Sequence, residues 1–70
     1  MIKQEIGNFI QSRRAALSMK QEDLAELTGI TTKTIYLIES GAGNPAVATL
    51  EKILDVLGLE LSVQIKKTSE

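Results

Sequence analysis

QEDLAELTGITTKTIYLIES, residues 21–40, is the stretch that decides the fold. It splits into two short apolar-periodic segments around Gly29. The first, about 21–28, opens with Glu22 and Asp23, where a helix dipole favours anions. Leu24, Ala25 and either Leu27 or Thr28 supply its inner face. Gly29 suits the left-handed position just past a helix end, because it has no Cβ. The second segment starts almost at once. Thr31 can cap its first turn, Ile35 and Ile38 stand one turn apart, and Gly41 closes it at about Ser40. Ala25 falls where the two helices face each other, and a larger side chain there would push them apart.

Outward from this stretch, the pattern stays helical. Ile2, Ile6, Phe9, Ile10 and Leu17 fall at helical spacing, which predicts a first helix over about 2–16. Ser18-Met19-Lys20 breaks it. Downstream, GAGNP at 41–45 reads as a loop, with Asn44 as cap and Pro45 at the first helical position of a fourth helix. Val47, Leu50, Ile53, Leu54 and Leu57 give that helix an apolar face over about 46–57, and Gly58 stops it. In LGLELSVQIKK, residues 57–67, Leu59, Leu61, Val63 and Ile65 alternate with Glu60, Ser62, Gln64 and Lys66. Strict period two predicts a strand over about 59–65 with one buried face. No other segment reads as a strand, so its backbone needs a pairing partner from elsewhere. The expected organisation is a helical domain over 1–58, a strand segment over 59–66 and a flexible tail over 67–70.

Composition bounds the function. Seventy residues give room for one small domain, and 43% hydrophobic against 24% charged residues is a globular balance. There is no Cys and no His, which removes disulfides, thiolate metal sites and the commonest general base. With no paired-carboxylate pocket or phosphate loop visible either, the sequence argues against an enzyme. No cofactor is implied. The start MIKQEIGNF lacks an apolar run fit for a signal peptide or membrane span, so no membrane partner is expected and a cytoplasmic location is. Net charge −1 is a poor footprint for nucleic acid taken as a total, but Glu51, Asp55, Glu60 and Glu70 all lie downstream of residues 21–40.

Two short helices joined by a glycine-bearing three-residue turn are the sequence form of a helix-turn-helix. The pattern RR-x5-KQEDLAELTGI-x4-IYLIESG resembles the Cro/CI-type helix-turn-helix family, also called the xenobiotic-response-element family, over about residues 9–58. The resemblance implies an all-α, compact bundle of four or five helices whose third helix enters the DNA major groove. By position, it implies that Gln21 reaches a phosphate or base edge and that Thr32, Lys33 and Leu37 face bases. Thr31 and Thr34 would cap the helix or touch phosphate, and Arg14 and Glu39 would form an ion pair between the first and third helices. Three positions depart from the pattern. Leu37 stands where a polar reader is common. Lys20 replaces a usual cap residue, which moves the cap of the second helix to Ser18. Ala46 replaces a frequent Ser before the fourth helix.

The residue chemistry points the same way. Thr32, Lys33, Tyr36 and Leu37 share one helical face, opposite Ile35 and Ile38. Lys donates to guanine N7 and O6, Thr bonds base edges, and an apolar side chain meets a thymine methyl. Arg13, Lys20 and Lys33 are candidate phosphate contacts, while Tyr36 reads as a half-exposed packing residue or a further phosphate contact, the packing reading being preferred.

Proteins that read two half-sites one helical turn apart are two-fold dimers. A strand pairing with its twin, Leu59, Leu61, Val63 and Ile65 facing inward, would supply that dimer. A helix-turn-helix followed directly by such a strand is similar to the HipB-type antitoxins. That resemblance implies a repressor of its own operon, a palindromic double-stranded operator, a homodimer and a HipA-like kinase toxin as partner. The competing expectation is a phage-type or stand-alone regulator with no toxin.

Overall fold

Four α-helices and no strand are present among residues 2–66, which the structure, a computed structural model, describes. They are α1 (Ile2–Ala16), α2 (Gln21–Thr28), α3 (Thr32–Glu39) and α4 (Val47–Val56). The expected tail at 67–70 lies outside the described residues. No described helix is long and apolar enough to cross a membrane.

Three of the helices end by one device, in which a left-handed residue lets its own N–H and the next one satisfy carbonyls of the last turn. In α4 the left-handed residue is Gly58, with Gly58 N–H on Asp55 O at 3.1 Å and Leu59 N–H on Leu54 O at 2.8 Å. In α3 it is Gly41, with Ala42 N–H on Leu37 O at 2.9 Å. In α1 the same place is held by Ser18, at φ 57°, with Met19 N–H on Arg14 O at 3.0 Å. Ser18 therefore ends α1 and does not cap α2. The α2 entry is held from inside: the Asp23 carboxylate accepts Lys20 N–H at 2.9 Å. The helix-turn-helix corner closes through Gly29, whose N–H reaches Ala25 O at 2.9 Å, and through the Thr28 hydroxyl, which donates to Leu24 O at 2.8 Å and accepts Ile30 N–H at 3.2 Å. Thr28 is thus the inward residue of the pair, and Leu27 is exposed.

The expected cap of α4 falls two residues early, although the helix itself starts within one residue of expectation. Asn44 and Pro45 belong to the loop, and Ala46 occupies the cap position in an extended conformation. Pro45 has a packing role instead, flanking a groove with Ile2, Ile6, Ile38 and Leu50.

The core is Ile10 from α1, Leu24 from α2, Ile35 and Ile38 from α3, and Leu50, Ile53, Leu54 and Leu57 from α4 and its cap. Ile6, Met19, Ala25, Ile30, Val56 and Leu59 pack around it. The predicted α1 stripe was too generous: Ile2, Phe9 and Leu17 are exposed, as is Val47 in α4. What α1 turns toward α3 is the row Gly7, Ile10 and Arg14, spaced +3 and +4. A Cβ on Gly7 would stand 2.5 Å from Ile38 O and 2.7 Å from Glu39 O, so the two backbones touch there.

The expected strand does not form within the chain. Residues 59–66 follow α4 without regular secondary structure, since the fold offers them no second extended segment. Leu59 is half-buried on the core, Leu61 is 41% exposed, and Val63 and Ile65 are 98% and 97% exposed.

Candidate nucleic-acid interface

The α3 helix buries Ile35, Ile38 and Glu39 and turns its other side outward. That side carries Lys33 and Tyr36, both exposed, with Thr32, Thr34 and Leu37 half-buried at its margins. Tyr36 is 59% exposed, so more than half of its side chain is displayed. Leu37 lines a shallow groove with Thr34, Ala42, Gly43 and Pro45, which leaves only part of its side chain for a ligand.

Thr31 caps this helix. Its Oγ1 accepts Thr34 N–H at 3.2 Å, and its hydroxyl donates to Thr34 Oγ1 at 3.0 Å. Both threonines thus pin the N-terminal end of α3, where the helix dipole favours anions. Lys20 is exposed at the start of α2, with its backbone fixed by Asp23.

Behind this surface lies a polar knot. Arg14 Nε donates to Glu39 Oε2 at 2.7 Å and its second terminal nitrogen to Glu39 Oε1 at 2.9 Å, a bidentate fork. Its first terminal nitrogen donates to Met19 O at 2.8 Å. Gln21 Nε2 completes the knot by donating to Glu39 Oε1 at 3.0 Å. Glu39 is only 5% exposed, yet both its oxygens are matched. The hydrogen bonds that Arg14 donates to Glu39, ahead of the carboxylate's charge, raise the Arg14 pKa above the ordinary arginine value. One cluster thereby joins the α1 end, the turn before α2, the first residue of α2 and the last of α3. It fixes the angle at which α3 is presented.

Gln21 is therefore half-buried and oriented, and its amide lines a small cleft with Gln11, Tyr36 and Ser40 on the α3 side. Arg13 is elsewhere. Its Nε donates to Leu57 O at 2.8 Å, which sets it beside the C-terminal end of α4. On the far flank, Lys3 Nζ donates to Gly43 O at 2.7 Å and holds the α3–α4 loop to α1.

Two of these features escaped the sequence. The contact at Gly7 had a signal, a glycine inside an apolar helical row, where a helix otherwise disfavours it. The Gln21–Glu39 bond spans 18 positions and had none.

The helix-turn-helix family profile matches residues 10–64. That span contains both helices, the knot and the core. The chain belongs to the helix-turn-helix family. This helix-turn-helix chain is 39% identical over 56 residues to the HTH-type transcriptional regulator PuuR of Escherichia coli (strain K12), a match covering 80% of the chain. It spans only 30% of that regulator's length. It is 37% identical over 52 residues to an uncharacterized HTH-type transcriptional regulator of Methanothermobacter thermautotrophicus, covering 74% of the chain and 75% of the relative. DNA-binding transcription regulation is the function that this membership supports.

Proposed function

We propose that the chain is a sequence-specific repressor that grips a palindromic operator as a homodimer, with α3 of each subunit in the major groove. The observation that carries the reading is the displayed side of α3: Lys33 and Tyr36 project from a helix whose pose is locked by the Arg14–Glu39–Gln21 knot. Lys33 reads guanine edges, Thr32 and Leu37 meet neighbouring bases, and Thr31, Thr34 and Lys20 border the phosphates. Gln21 approaches from the start of α2. Few cations serve this surface, so base contacts and dimerisation carry more of the affinity than charge does.

Binding of Lys33→Ala to a selected operator and to random DNA tests base reading. Specific affinity is expected to fall by about 1–3 kcal/mol and non-specific affinity much less. Equal losses on both DNAs would reduce Lys33 to a phosphate contact.

Dimerisation is assigned to residues 59–66, whose apolar residues find too little cover within one chain. Leu59 is best left in place for the test, because its N–H closes α4. A chain lacking residues 60–70 is expected to sediment as a folded monomer with strongly weakened operator binding. An unchanged dimer would sink the assignment.

The antitoxin role is the finer reading, and its support is the strand-like pattern placed directly after the helix-turn-helix. Its partner would be a HipA-like kinase toxin. Co-purification with the product of the adjacent gene is the measurement, and a stand-alone regulator would bring down no kinase.

A further inference from the structure

The C-terminal segment carries enough pattern to specify how two copies meet. In an extended chain, Leu59, Leu61, Val63 and Ile65 share one side. Leu59 uses that side to pack on the core. Leu61 is partly covered, and it flanks a groove of about 180 Å³ with Ile6 and Phe9 of α1, Leu54 and Leu59. Phe9 is 65% exposed there. Val63 and Ile65, further along the same side, have nothing beneath them. Each chain thus holds an unfilled apolar groove at one end of the segment and two uncovered aliphatic side chains at the other.

A two-fold axis turns this into a matching problem. In an isologous antiparallel pair, residue i faces residue j of the second copy with i + j constant. Centring the pair on Ser62 sets Leu59 against Ile65 of the partner subunit and Leu61 against Val63 of the partner subunit. All four apolar residues then face apolar residues. Centring one residue earlier sets Ile65 against a residue of the α4 cap, and one residue later sets Leu59 against a lysine. The outward side agrees in charge. Glu60 faces Gln64 of the partner subunit and lies diagonal to Lys66 of the partner subunit, at about 7–8 Å, within reach of long side chains.

We infer that the chain dimerises through an antiparallel ribbon centred on Ser62, and that the groove of Ile6, Phe9 and Leu54 is the seat of Val63 and Ile65 from the second copy. This rests on the dimeric reading above and adds a register and an α1 surface to it. Phe9 becomes an interface residue.

The chain has no cysteine of its own, so single cysteines report the register directly. Residues facing each other across an antiparallel pair have Cα atoms about 4.5–5.5 Å apart, inside the disulfide range of about 4.4–6.8 Å. Ser62→Cys is therefore expected to form a covalent dimer on mild oxidation. In Glu60→Cys or Gln64→Cys, the two sulfur-bearing residues are offset by four positions, about 13 Å, and stay unlinked. Phe9→Ser is expected to keep its helix content while its dimer dissociates about tenfold more readily. Sedimentation of the unaltered chain separates the two levels of the argument. A dimer that links best through position 60 or 64, or not at all through 62, overturns the register and leaves dimerisation standing. A dimer indifferent to Phe9→Ser overturns the α1 seat. A chain that stays monomeric at every concentration overturns the dimeric reading itself.

Discussion

Glu39→Ala is expected to cost about 3 kcal/mol, enough to bring the domain close to its unfolding threshold. Removing one member of a buried ion pair strands the other, and such losses run to about 3–5 kcal/mol. The lower end applies because the Arg14 side chain keeps 15% of its surface in water. A domain of this size holds only about 4–10 kcal/mol in total. The substitution also removes the acceptor that orients Gln21. Urea titration followed by circular dichroism measures the loss, and a change below about 1 kcal/mol would demote the fork to an ordinary surface pair. Arg14→Met combined with Glu39→Leu is expected to recover most of the stability, because a matched apolar pair leaves no charge stranded. It should not recover operator binding, since Gln21 would still lack its anchor. That split separates what the fork does for folding from what it does for recognition.

Gly7→Val is expected to be as damaging by a different route. The first atom of any side chain at this position meets Ile38 O and Glu39 O, which are main-chain atoms and cannot rotate away. The helices must separate, and α1 and α3 enclose Ile10 and Ile35, both fully buried. Overpacking costs about 1–3 kcal/mol where side chains can adjust, and this site falls at or beyond the top of that range. Gly7→Ala is the sharper test. In an unobstructed helix, Ala gains about 1 kcal/mol over Gly. Here a net loss is expected, and a stabilised Gly7→Ala protein would show that α1 shifts freely over α3. Both substitutions also disturb the knot, since Arg14 lies two turns along the same row of α1.

The sequence was most legible where short-range chemistry decides the outcome. Gly29 and Gly41 mark left-handed ends, Thr31 caps α3, and the +3/+4 spacing of Leu50, Ile53, Leu54 and Leu57 sets the face of α4. The Arg14–Glu39 pair was legible through resemblance alone. The misreadings have a common cause: competition that a local pattern does not contain. Asn44-Pro45 is a sound helix start, but Pro45 is drawn into packing beside Ile6 and Ile38. Phe9 has core chemistry at core spacing, but Gly7 brings α3 so close that α1 faces inward along Gly7, Ile10 and Arg14. Arg13 and Arg14 are identical in local terms. One serves Glu39 and the other the Leu57 carbonyl because they project from neighbouring sides of α1. Residues 59–66 are a separate case: their strand was expected to pair with a second copy, and a single chain supplies no such partner.

The near-complete exposure of Val63 and Ile65 bears on how long a copy of this protein lasts in a cell. An extended, unpaired segment with aliphatic side chains is a template for any chain that binds in β fashion, the substrate clefts of proteases among them. In the dimer proposed above that segment is covered, and in a lone subunit it is open. Degradation would therefore fall hardest on the protein when it is scarce and ease as it accumulates. Abundance would depend on synthesis rate more steeply than in proportion, and a brief pause in expression would clear the regulator faster than dilution alone.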